Sequence, residues 1–169
     1  MAKTYNTIMV KNFSDIFEEY KAAAAITPGM LVEESGTDGT IKKHASAATF
    51  AMPMFAIEDE KQGKGIDEDY AANDKVQVWI PGRGDQVYAL LEDNSQAITI
   101  GTQLVSAGNG KLRKSLDTVN SYESVDAGMD LSFKSIIGVA LEALDISAAE
   151  GSESSATGTL YPRILIRIV

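Results

Sequence analysis

The sequence predicts a mainly β protein: a sandwich or barrel body over residues 26–169, preceded by an extended, partly helical arm over residues 1–25. Three observations carry this. Short apolar runs recur between Gly-containing turns at hairpin spacing. Two runs, "KVQVWIP" and "RILIRIV", alternate with the period of two that places successive side chains on opposite faces of a strand. Residues 12–25 instead carry apolar residues at helical spacing.

The elements follow in chain order. "TYNTIMV" (4–10) reads as a short strand with Tyr5, Thr7 and Met9 on one face. In "NFSDIFEEYKAAAA" (12–25), Asn12 or Ser14 is placed to cap a helix whose face carries Phe13, Ile16, Phe17 and Tyr20, and Pro28 ends it. "GMLVEE" and "TIKKHA" flank "SGTDG" as a hairpin. "MPMFAIEDE" leads into the polar loop "KQGKGIDEDYAAND". "KVQVWIP" and "DQVYALLED" read as a second hairpin about "GRG", and "TQLVSA" and "GKLRK" as a third about "GNG". Residues 117–134 are polar and give no firm signal. "SIIGVALEALDIS" fits a helix or a strand, and Gly138 with its β-branched neighbours favours a strand. "AAEGSESSATG" is a loop by composition. "TLYPRILIRIV" is a closing strand with Ile164, Ile166 and Ile168 on one face and Arg163, Leu165 and Arg167 on the other.

A chain of 169 residues suits one domain, and a domain of this size buries about 70% of its unfolded surface. Apolar residues make up 44% and charged residues 23%, ordinary for a globular protein, and no apolar run reaches membrane-spanning length. The opening "MAKTYNTIMVKNF" lacks the features of a secretory signal, and cysteine is absent, so a cytosolic site of synthesis is expected. The absence of cysteine also removes disulfides, thiolate metal sites and cysteine nucleophiles. Net charge is −9, with ten acids against five bases in residues 30–80. Nucleic acid is a poor partner for such a surface, because phosphate binding needs clustered Lys and Arg.

The search for chemistry finds no catalytic residue, cofactor site or metal site to back. His44 is the single histidine and follows two lysines; it reads as an exposed residue at a strand end. The acids of "EDEKQGKGIDEDY" lack the spacing and turn glycine of a calcium loop. "SAGNGKLRKS" has Leu112 where a phosphate loop needs Ser or Thr. "GRGD" (82–85) spells an integrin tripeptide, but a tight turn with positive φ at Gly82 and Gly84 explains the same letters. Trp79 and Tyr88 read as core or cross-strand aromatics.

"AITPGMLVEESGTDGTIKKHASA", and the later pairing of "IIGVALEALDI" with "GTLYPRILIRIV", resemble the β-rich body of capsid decoration (cement) proteins of tailed bacteriophages. The resemblance covers residues 26–169, with the arm a looser match. It implies a small β-barrel or β-tulip-like body, no enzymatic activity and no cofactor. It also implies binding to the outer surface of the expanded capsid, bridging neighbouring major capsid subunits, often as a homotrimer, with no nucleic-acid or membrane partner. The capsid-binding arm would then present Tyr5, Ile8, Met9 and Val10 as an added strand and Phe13, Phe17 and Tyr20 as anchors. The alternative is a phage tail-tube or other virion assembly protein, which would form hexameric rings.

Overall fold

A computed structural model describes residues 5–92, 97–115, 135–145 and 162–169. Strands β1 (Met9–Lys11), β2 (Phe17–Ala22), β3 (Val32–Glu34), β4 (Thr40–Lys43) and β5 (Phe55–Ala56) precede a short 3₁₀ turn, Glu60–Gln62. Then follow β6 (Lys75–Trp79), β7 (Gln86–Leu90), β8 (Ala97–Ile98), β9 (Gln103–Ser106), β10 (Leu112–Lys114), β11 (Ile136–Ala140), β12 (Leu144–Asp145) and β13 (Arg163–Ile168). They form a six-stranded sheet ordered β1-β7-β13-β11-β9-β10, a five-stranded sheet ordered β3-β4-β2-β6-β5, and a β12-β8 pair. The readings at 117–134 and 148–158 lie outside the described residues.

The protein is mainly β, as expected, but neither sheet closes into a barrel. The five-stranded sheet curls until its two edges meet at one isolated bridge, and the six-stranded sheet brings its β10 edge against the end of β7, next to its other edge. In the five-stranded sheet Leu31 bridges Phe55, supported by Val32 N–H to Met54 O (2.9 Å) and Ala56 N–H to Met30 O (3.0 Å). In the six-stranded sheet Leu91 bridges Leu112. The curl makes two cores. Val76, Val78, Ile41, Ile26 and Tyr70 fill the five-stranded sheet. Val87, Ala89, Leu104 and Ile137 of the six-stranded sheet pack with Ile164, Ile166 and Ile168 against Trp79, Phe55 and Leu31.

The hairpins about "SGTDG" and "GNG" form as β3–β4 and β9–β10, and residues 136–140 are a strand. Three expectations are corrected. The helix over 12–25 is absent: residues 17–22 are β2, paired antiparallel with β6 from Phe17↔Trp79 to Lys21↔Lys75 and parallel with β4. The helical spacing was real but unused, since Phe13, Ile16 and Phe17 are 74%, 54% and 42% exposed. Flanked on both sides, the segment instead satisfies its backbone groups in ladders, and that tertiary pairing outweighs local propensity. In the 4–10 run the buried residue is Ile8, with Tyr5, Thr7 and Met9 half-buried and only Met9–Lys11 in a strand. Finally, β6 and β7 are not a hairpin; they belong to different sheets.

Candidate interface surface

Two segments cross between the large sheets side by side. Residues 12–16 lead from β1 to β2, and residues 80–85 lead from β6 back to β7. Asp85 joins them from within. Its side chain is fully buried, and its two oxygens accept the backbone N–H groups of Phe13 (2.6 Å) and Gly82 (2.8 Å). Trp79, also fully buried, donates its indole N–H to Ser14 O (2.8 Å). Ser14 Oγ donates to Ile80 O (3.2 Å), and Ile80 N–H donates to Ile16 O (3.0 Å). A carboxylate that takes two backbone N–H groups in a buried site fixes both segments at once. The side chains left outside this clamp are Phe13, Ile16 and Phe17. Aromatics exposed on a rigid backbone can enter a partner's pocket with little ordering cost.

The seven arm residues therefore occupy distinct environments. Tyr5 sits edge-on to Tyr88, with ring centroids 5.2 Å apart. Ile8 is fully buried, and its N–H donates to Glu58 Oε2 (3.1 Å). Met9 and Val10 are half-buried in β1. Phe13 and Phe17 project from the clamp. Tyr20 is half-buried in β2 and donates its hydroxyl to Glu18. That bond, burial and the charges of Glu18 and Glu34 push the Tyr20 phenol up to about 12. Burial first, then the charge of Glu142, also raises Tyr88.

Two motifs weighed in the sequence take different roles from those expected. "GRGD" is a link between sheets, not a hairpin turn: Gly84 has φ of 98°, Gly82 needs no positive φ, and Asp85 faces inward. Burial withdraws the acid an integrin would have to reach. His44 is buried, not exposed. Its Nδ1 lies 2.7 Å from Ser106 Oγ, and its Nε2 lies 3.3 Å from Phe50 O and 3.6 Å from Glu33. Ser106 Oγ also accepts Gly108 N–H (3.1 Å), and Phe50 O can only accept, so the contact with it places a ring hydrogen on Nε2. Ser, His and Glu here resemble a nucleophile set by composition, but Ser106 is fully buried and its hydroxyl is engaged. The group acts as a seam between hairpins β3–β4 and β9–β10. No local signal announced it, because Ser106 stands 62 residues from His44.

Among the described residues, no three acid or histidine side chains gather as a metal site, and no helix is long and apolar enough to cross a membrane. No known protein family matches the chain, and no curated protein matches it. Among solved structures it is similar to the head fiber gp8.5 N base of bacteriophage phi29, at a TM-score of 0.49 and 15% identity, over 91% of this chain and 93% of that one. At that level the similarity carries no conclusion about function.

Proposed function

We propose that the chain is a structural protein of a tailed-phage virion. It binds the outer surface of the expanded capsid and stabilises it by bridging neighbouring major capsid subunits, without catalysing a reaction. The sequence resemblance of residues 26–169 motivates the reading. The observation that supports it most is the clamp, which ties the segment carrying Phe13, Ile16 and Phe17 to the 80–85 link and leaves their side chains outward. Such anchors contribute most of the binding energy in protein interfaces. Many copies on one shell multiply a modest contact through avidity.

The test is co-sedimentation of the purified protein with unexpanded and expanded shells assembled from the major capsid protein of the same genome. Saturable binding to expanded shells is the expected result, and F13S/F17S should abolish it while the fold persists. Deleting residues 2–25 would be uninformative, since it removes β2 from the interior of its sheet. Wild-type protein that binds neither shell form sinks the reading.

A further inference from the structure

The outer face of the six-stranded sheet carries a row of charge beside the clamp. Lys11 of β1 and Arg167 of β13 each pair with Gln86 of β7. Arg167 and Gln86 share a face opposite to buried Val87 and Ile166, so they point outward, and Lys11, which follows an irregular step in the β1 register, is placed beside them by its pairing and its exposure. Lys11 and Arg167 are exposed and stand two strand spacings apart, roughly 10 Å. Exposed Arg83 joins them, since the adjacent Gly84 N–H donates to Ile168 O (3.0 Å). Among the described residues, none of these three cations is in an ion pair; Lys42, Lys64, Lys75 and Arg163 are. Lys11 instead holds its ammonium 5.1 Å from the centre of the exposed Phe13 ring. The result is an aromatic knob with three cations against one nearby exposed acid, Asp15, on a chain of net charge −9.

The complement lies on the same chain. The β3–β4 hairpin and Tyr20 enclose an open hollow of about 450 Å³ that carries Glu34 and Asp38, both exposed. We propose that the knob of one copy docks into this hollow on a second copy. Opposite charge would steer the approach. Burying Phe13 with Lys11 still over its ring would strengthen the cation–π contact by removing water from it. Knob against knob is disfavoured, because it sets Lys11, Arg83 and Arg167 against themselves. The contact therefore sets the knob of one copy against the hollow of another, either reciprocally about a two-fold axis or head to tail in a ring or filament. This inference does not depend on the capsid reading; a copy whose knob is docked holds Phe13 against its neighbour and keeps Ile16 and Phe17 for the shell.

Sedimentation velocity on the purified full chain tests it. Wild type should associate at low salt and dissociate as salt screens the charges. R83E/R167E, with an acidic knob, and E34K/D38K, with a basic hollow, should each keep a native circular dichroism spectrum. Each should associate at least about a hundredfold more weakly than wild type. Mixed one to one, the two variants should associate again, because each now complements the other at both ends. If a reversal unfolds the chain, R83Q/R167Q and E34Q/D38N carry the same comparison, each weakening association. A wild type that stays monomeric at low salt, a folded variant that assembles like wild type, or a mixture of folded reversals that stays monomeric would each overturn the proposal.

Discussion

The clamp and the His44 seam both tie the five-stranded sheet to the six-stranded one, and they do so in opposite ways. At the seam, the two side chains that join the hairpins are internal, while residues 45–47 beside them are exposed. His44 and Ser106 are buried, and Gly108 runs so close to the 45–47 backbone that an added Cβ would sit 2.7 Å from Ala47 N and 2.9 Å from Ala45 O. At the clamp, Asp85 and Trp79 are internal, but the chain they hold displays Phe13, Ile16 and Phe17 outside. The seam joins its hairpins side chain to side chain, and it leaves Phe50, whose carbonyl meets His44, 81% exposed. The clamp divides its labour: buried groups fix the backbone, and exposed ones stay free to vary or to bind.

Substitutions can break that comparison at graded cost, each read by urea or thermal unfolding. Gly108→Ala should have the largest effect, a loss of about 3–5 kcal/mol, because it meets backbone on two sides and φ is +87°. Asp85→Ala should cost about 3 kcal/mol by orphaning two backbone N–H groups. A loss under about 0.5 kcal/mol there would show that the clamp does not hold the sheets. Ser106→Ala should cost about 1–2 kcal/mol, since it strips a partner from both His44 and Gly108. F13S/F17S should change stability by less than about 0.5 kcal/mol yet weaken shell binding by about a hundredfold or more. Equal losses of stability for Asp85→Ala and F13S/F17S would erase the distinction between inside and outside.

What could be read in advance divides along sequence distance. The β3–β4 and β9–β10 hairpins announce themselves, because their turns and both their strands fall within a dozen or so residues. So does β13, whose isoleucines alternate into the core, although Arg163 on its other face is also buried, paired with Asp67 and bonded to Pro28 O and Ile66 O. Residues 12–25 were legible only as an amphipathic stripe, because the partner that makes them a strand begins at Lys75. The short link from Trp79 to Gln86 looks like a hairpin loop, and nothing local says that it changes sheets. Phe13 and Phe17 stood out by size alone. Asp85 stood out only as the last letter of an integrin tripeptide, because Phe13, one of the two residues whose N–H it secures, lies 72 residues away.

The interleaving of strands also sets when this protein can fold. β13, last of the described strands, lies between β7 and β11 in the interior of its sheet, and β2, among the first, lies between β4 and β6. A nascent chain can close the β3–β4 hairpin early, but β2 gains its β6 partner only after Lys75–Trp79 has been made. The six-stranded sheet stays split into two halves until Arg163–Ile168 arrives to join them. Folding dominated by such distant pairings is slow, and its waiting states expose unpaired strand edges. Shortening the chain at its last strand should therefore produce aggregation in the cell, not a smaller folded protein.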